Sequence, residues 1–266
     1  MSLTTVRLGT LEYLKAENIG VPHCFTTRYG GVSTGTLASL NIGMHRGDDP
    51  KNVEENYRIL GNALGIAPDF LVLTRQVHSD IVRKVGRADA AGLDHHTYPE
   101  CDALITNEPG TGLVVFTADC TPILLWDEVT GAVGAIHAGW RGTASALAEK
   151  TVKAMVDAYG CDPANIRAAI GPNIASCCFE TDGDVPAAMI AALGQEAQQF
   201  IKKTGEKYHV NLKGINEAFL RRAGVENIQI SRECTCCENN RFWSHRFTRG
   251  DRGSQGAIIV CKGEGR

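Results

Sequence analysis

His78, Cys120 and His137 each follow a short apolar, β-branched run. Phe70-Leu-Val-Leu-Thr74 runs into Gln76-Val77-His78, Gly112–Thr117 leads to Asp119-Cys120, and Ala132–Ile136 leads to His137. The chain then turns, at Pro122 after the thiol and at Gly139 and Gly142 after the second imidazole. Buried strands ordinarily end in bland turn residues rather than in Cys and His. Three strand ends of one kind, two of them separated by a single hairpin, predict a shared metal site. Three protein ligands and an open fourth position are how catalytic zinc is held. Donor softness favours zinc, although copper accepts the same set. Bound zinc would bring the pKa of its water toward about 7 and so create a nucleophile at neutral pH.

The segment His137–Thr143, HAGWRGT, carries a second suggestion. It is expected to join a strand to the N-terminus of a helix at Ala144, where unpaired amides and the helix dipole attract anions. Arg141 has the fork geometry to grip a phosphate or carboxylate there. Two further loops, Thr26–Ser33 and Leu40–Pro50, combine turn glycines with Arg28, Asn41 and Arg46 and are expected to face a ligand. Cys234-Thr-Cys-Cys237 resembles a redox or metal-knuckle pattern, but no second C-x-x-C or His pair lies at finger spacing. Cys177 and Cys178 are adjacent, which disfavours a disulfide between them. Cys24, Cys161 and Cys261 sit in or beside apolar segments and read as small buried hydrophobes.

Several elements must position these residues. A helix is predicted over Pro50–Leu64, with Asp49 as N-cap, Pro50 at the first helical position and Gly65 as the stop. Helices are also predicted over Ala144–Tyr159, Asp184–Phe200 and Asn211–Ala223. Strands are expected at His23–Thr27, Ile166–Ile170, Ile228–Ser231 and Ala257–Cys261. Strands and helices alternate too irregularly for a doubly wound nucleotide fold, and neither GxGxxG nor Walker A is present. The fold class expected is α+β, mixed β-sheets flanked by helices, in a single domain over 1–266. A composition 43% hydrophobic and 21% charged suits a globular protein, and a net charge of -3 argues against nucleic acid or an anionic membrane as partner. No basic segment followed by an apolar one opens the chain, so the expected location is cytoplasmic. Ten cysteines without an export signal point to metal or catalytic use rather than a disulfide scaffold.

QVHSD at 76–80, TADCTPILLWD at 117–127, HAGWRGT at 137–143 and IGPNIASCCFE at 170–180 closely resemble the YfiH/YlmD/laccase-domain family. The loops TTRYGGVS and LNIGMHRGDDP and the tail element FWSHR add to the resemblance, which runs from about Cys24 to the C-terminus. The tail departs from the family pattern at Ser244-His245-Arg246 and at Arg252-Gly-Ser-Gln255. The resemblance implies a layered, YfiH-like architecture and zinc on His78, Cys120 and His137. It further implies a zinc-dependent purine nucleoside phosphorylase, converting adenosine, inosine and methylthioadenosine to base and ribose 1-phosphate, with adenosine deaminase activity alongside. Nucleoside and phosphate are then the small-molecule partners. Arg28, Arg46 or Arg141 would hold phosphate, Asn41 or Gln76 would bind sugar or base, and Asp119 would carry a proton.

Two other chemistries compete. A copper polyphenol oxidase needs several copper ions, and eight histidines make a multicopper cluster hard to assemble. An amidase correcting peptidoglycan precursors would use Cys120 as nucleophile and His78 or His137 as base.

Overall fold

A computed structural model describes residues 2–262. Numbered along the chain, its strands begin β1 (Thr4–Leu8), β2 (Leu11–Lys15), β3 (His23–Thr26), β4 (Leu71–Leu73), β5 (Val82–Lys84), β6 (Ala103–Thr106), β7 (Gly112–Thr117) and β8 (Thr121–Asp127). They continue as β9 (Val133–Ala138), β10 (Ile166–Ile170), β11 (Glu180–Thr181), β12 (Ile201–Thr204), β13 (Lys207–Val210), β14 (Asn227–Ile230) and β15 (Gln255–Val260). The helices are α1 (Pro50–Leu64), α2 (Trp140–Ala144), α3 (Leu147–Tyr159), α4 (Asp184–Leu193), α5 (Leu212–Arg222) and α6 (His245–Thr248).

The first sheet has the order β1-β2-β3-β15-β7-β4 and the second β14-β10-β8-β9-β6-β5. Both are mixed, since β4 runs parallel to β7 and β14 parallel to β10 while their other central pairs are antiparallel. A small third sheet has the order β11-β13-β12. Every residue of β7 and β9 is buried, so they read as continuous apolar runs rather than as alternating ones. Successive residues of β8 divide between two cores, Leu124 facing the first and Ile123 and Leu125 the second. The first core joins the two large sheets and receives Val53, Tyr57 and Leu60 of α1. The second lies between the β8–β9–β10 face and helices α3 and α5, with Met155, Ile215 and Phe219 fully buried. The chain passes from the first sheet to the second in the short turn between β7 and β8, and Cys120 sits in that turn.

Several expected elements form as read. Asp49 caps α1 by accepting from the Lys51 amide at 3.0 Å, and Gly65 closes it at φ 70. Asn211 caps α5 by accepting from the Gly214 amide. Two long helices do not form as expected. The segment 144–159 is interrupted at Ser145-Ala146, where Ala146 adopts φ 56, so α2 and α3 are separate. On either side of this break Thr143 and Leu147 are both fully buried. The segment 184–200 stops at Gly194, whose φ 71 and ψ -153 suit glycine, and continues to Phe200 as 3₁₀ turns. Among the described residues no helix is long and apolar enough to cross a membrane.

Candidate metal centre

The structure brings ligand atoms of His78, Cys120 and His137 within 4.8 Å of one another. His78 lies in the loop after β4 and is exposed, Cys120 is half-buried in the β7–β8 turn, and His137 is buried within β9. The picture of three strand ends is corrected for His78 alone, which stands in a left-handed turn at φ 58 beyond β4, while His137 is the penultimate residue of β9 and pairs with Pro122. The imidazoles meet edge to face, with ring centroids 5.0 Å apart. Gly139 explains part of the HAGWRGT motif. A β-carbon there would stand 2.6 Å from His78 Nδ1 and 3.2 Å from Cys120 Sγ, inside the space where the donors converge.

Asp102, which the sequence reading missed, organises this trio. Its carboxylate is fully buried and accepts from His137 Nδ1 at 2.8 Å. It also accepts from the amides of Val77, His78 and Ser79 and from the Ser79 hydroxyl. With Nδ1–H donated to Asp102, the Nε2 lone pair of His137 is left for a cation, the usual carboxylate–histidine–metal relay. Burial alone would raise the Asp102 pKa and lower that of His137. The pairing reverses both, holding Asp102 low, while Cys120 and Asp102 lift His137. His78 is pushed down by partial desolvation of its ring against the site and by the charge of His137. Two imidazoles and a thiol with one ring fixed by a carboxylate fit a soft or borderline divalent metal.

Two cavities meet at the trio. The first, about 160 Å³, is polar and is lined by Arg46, Gln76, His95 and Arg252 with all three candidate ligands. The second, about 310 Å³, is lined by Ile174, Phe179, His245 and Arg246 and shares His78, Cys120 and Arg252 with the first. Among the described residues no carboxylate lines the first cavity. Burial, and after it the nearby Arg46 charge, lower the Arg252 pKa to about 10. Arg252 Nη1 donates to Gly253 O and Ser254 Oγ, while its buried Nε has no partner among the described residues. His95 is pushed down to about 4 by burial and by His96 and His45, so its ring is neutral at pH 7.

Of the residues expected at the site, Arg46 and Gln76 line the first cavity. Gln76 is also committed to structure, donating to Phe116 O and accepting from the Phe116 amide. Arg28 is corrected. Its guanidinium stacks on Trp243 at 3.9 Å and donates to the carbonyls of Ala38 and Asn239, outside both cavities. Asn41 is fully buried and ties Gly43, Asp48 and Ser254 together, so it builds the wall rather than touching a ligand. Arg141 is exposed and stacks on Trp140 at 4.3 Å, and the five-residue α2 is not the long helix expected to draw an anion. Asp119 lines the second cavity beside His78 and Cys120, with both of its carboxylate oxygens engaged. Oδ1 accepts from Thr235 Oγ1 and Oδ2 from the Arg246 amide, each at 2.6 Å. The useful signal in the tail was its departure from the family pattern, because Arg252, His245 and Arg246 all reach the cavities.

A family model described as multi-copper polyphenol oxidoreductase laccase matches residues 22–262. A purine nucleoside phosphorylase of Deinococcus radiodurans is 41% identical over 250 residues, covering 94% of this chain and 92% of its own. The purine nucleoside phosphorylase YfiH of Escherichia coli is 38% identical over 228 residues, covering 85% and 88%. The crystal structure of YlmD from Geobacillus stearothermophilus superposes with a TM-score of 0.90 at 35% identity, over 97% of this chain and 98% of that one.

Gly139→Ala keeps an allowed backbone, since Gly139 has φ -66, so its effect is confined to the donors. It is expected to abolish metal binding at the trio with little change in Tm, read by metal analysis beside thermal unfolding. A metal content no lower than that of the unsubstituted protein would count against convergence of the three side chains on a cation. Asp102→Asn removes the charge behind His137 and places an amide NH₂ among amide donors. Chelator competition should show metal bound roughly 10- to 100-fold more weakly, and unchanged affinity would exclude the relay.

Proposed function

The chain belongs to the multi-copper polyphenol oxidoreductase laccase family, and on that footing we propose that it is a zinc-dependent purine nucleoside phosphorylase. The observation carrying this reading is the pair Arg46 and Arg252 in a cavity, free of carboxylates among the described residues, that opens on the metal-ligand trio. Two guanidiniums in one partly desolvated space repel each other, and an oxyanion relieves that repulsion through charge-assisted hydrogen bonds. The similarity to chains named purine nucleoside phosphorylase supplies the reaction for that anion.

In this reading Arg46 and Arg252 orient inorganic phosphate, and Arg252 Nε is a donor still available to it. The less polar second cavity, with Phe179 and Ile174, receives the purine. The ribose then lies between them, over His78 and Cys120. A phosphate oxygen forms a bond to C1′ as the C1′–N9 bond breaks, and the electron pair leaves with the base, which takes up a proton. Holding nucleophile and electrophile together, with Arg charge offsetting the phosphate, accounts for much of the acceleration such sites achieve. Zinc, where bound by His78, Cys120 and His137, supplies Lewis-acid polarisation of a substrate atom. Neutral His95 can donate or accept one hydrogen bond to the sugar or base. Adenosine deamination is a second proposed reaction of the same site, with Asp119 on the wall of the second cavity as its proposed proton carrier. The described cysteines form no disulfide, in keeping with a reducing cytoplasm.

Copper oxidation is the second reading, and one observation favours it. Ligand atoms of His45, His95 and His96 also lie within 4.8 Å of one another, and His95 faces the first cavity. The histidines thus gather more closely than the sequence suggested. Yet His45 and His96 are stacked, with planes 8° apart and centroids 3.9 Å apart, and imidazole lone pairs lie in the ring plane. Parallel stacked rings direct their lone pairs side by side rather than at one ion. His45 Nε2 is moreover engaged by Asp94 Oδ1 at 2.8 Å.

Metal-replete protein incubated with adenosine or inosine should release free base only when phosphate is supplied. Release independent of phosphate, or phenol oxidation that tracks copper content, would remove the phosphorylase reading. Arg252→Ala should raise KM for phosphate more than about tenfold while altering KM for nucleoside much less, as loss of a charged hydrogen bond predicts.

A further inference from the structure

A second group of sulfur donors lies away from the trio. Cys177 and Cys178 follow β10, Cys234 and Cys237 follow β14, and the four Sγ atoms fall within 4.8 Å of one another. The contacts are 3.8 Å for Cys177–Cys178, 3.6 Å for Cys177–Cys237 and 3.3 Å for Cys178–Cys237. These are far longer than a disulfide of about 2.05 Å. They approach the edge of a tetrahedron of sulfurs around zinc, which for Zn–S of about 2.3 Å is about 3.8 Å.

The surrounding backbone is built to hold them. A parallel bridge joins Asn173 to Cys234, and the Thr235 amide donates to Asn173 O at 3.0 Å. The Ala175 amide donates to Cys234 Sγ at 3.3 Å, so this sulfur accepts a backbone hydrogen bond as metal-bound thiolates commonly do. Cys234 and Cys237 have the C-x-x-C spacing of a metal knuckle, turned by Glu238 N donating to Cys234 O. The partner pair absent at finger spacing in the sequence is supplied by Cys177-Cys178 through the fold. A tetrathiolate around a divalent ion carries net negative charge, and two cations stand close. Lys213 is buried with its Nζ on the carbonyls of Ser231 and Glu233, and Arg246 donates to Cys178 O.

We propose that Cys177, Cys178, Cys234 and Cys237 bind a structural zinc ion, a second metal site distinct from the His78–Cys120–His137 trio. Four protein ligands close the coordination sphere, which is the mark of a structural rather than a catalytic site. The ion staples the Ala175–Phe179 loop to the 234–237 turn. That turn carries Thr235, whose hydroxyl holds Asp119, the residue before Cys120. The loop carries Phe179, a wall of the second cavity. The site therefore steadies the floor of the catalytic cavity without supplying a catalytic residue.

The test separates the two sites by elemental analysis of protein purified from zinc-supplemented, copper-free medium. Wild type should hold about two zinc ions per chain and Cys120→Ala about one. Cobalt-loaded Cys120→Ala should show intense sulfur-to-cobalt charge transfer with the ligand-field bands of a tetrahedral tetrathiolate. Adding Cys178→Ser and Cys237→Ser to the Cys120→Ala protein should remove both the ion and the bands. Should that triple variant fail to fold, the cobalt spectrum of Cys120→Ala still decides. A Cys120→Ala protein free of metal, with these four thiols alkylated in the native state as fast as after unfolding, would overturn the site. An intact mass showing a disulfide among them would also overturn it, and iron in place of zinc would overturn the assignment of the ion. Failure of the trio would look different, with Cys120→Ala retaining the wild-type metal content.

Discussion

Asp102 sits beneath the two imidazoles with no exposure and accepts from the amides of Val77, His78 and Ser79, the Ser79 hydroxyl and His137 Nδ1. An ionised carboxylate buried without partners would be strongly destabilising, whereas charge-assisted bonds to several donors offset that desolvation. One end of the arrangement is an exposed loop and the other a fully buried strand. The carboxylate therefore converts a mobile type of element into an extension of the second sheet, and it sets the tautomer of His137 in the same contact. The backbone amide of His137 donating to Asp102 O at 2.7 Å adds a second tie between the two residues. Remove the carboxylate and three amides lose their acceptor together, so the loop, the ring orientation and the metal geometry are one mechanical unit.

The backbone at the trio is held away from its local minimum. His78 at φ 58 and Asp119 at φ 86 are among the few non-glycine residues with positive φ, and each such placement costs on the order of 1–3 kcal/mol. Both have dedicated restraints. The amides around His78 converge on Asp102, while Asp119 is gripped by Thr235, by the Arg246 amide and by Ile174 N donating to its carbonyl. Strain beside two of the three candidate ligands, with side-chain clamps on both, marks these turns as shaped for their ligands rather than for chain reversal alone. The same economy appears at Gly139, where the missing β-carbon leaves the donors room to converge.

What could be read beforehand follows from how local each signal is. Helix α1 was legible because Asp49, Pro50 and Gly65 act within one turn of its ends, and β7 because a fully buried strand is apolar throughout. The break at Gly194 had a visible cause, but that at Ala146 had none, since alanine favours helix and only tertiary packing overrides it. The trio was legible because each ligand follows its own apolar run. Asp102 was not, because Glu100-Cys101-Asp102 carries no motif and its meaning arises when β6 is laid beside β9. Arg28 misled for a physical reason. The glycines beside it suggested approach of a ligand, yet a β-carbon at Gly30 would stand 2.2 Å from Leu11 Cα and one at Gly31 2.3 Å from Ser39 O. Those glycines serve backbone packing, and the arginine that precedes them lies on Trp243.

Cys120 thus stands between two anchors of different chemistry. On one side Asp102 fixes the His137 ring and the His78 backbone through hydrogen bonds to a single charge. On the other, Asp119 hangs from Thr235, which belongs to the cysteine-rich turn paired with Asn173. Asn173 Nδ2 donates in turn to Thr121 Oγ1 at 2.7 Å, so the residues before and after Cys120 are both tied to the same segment. A thiol in the crossover between two sheets would ordinarily follow the small motions of either one. Tying both of its neighbours to a third element removes that freedom, and the order of the 234–237 turn becomes a condition for the geometry at Cys120. Coupling of this kind passes through named contacts between packed residues, and each link can be cut separately.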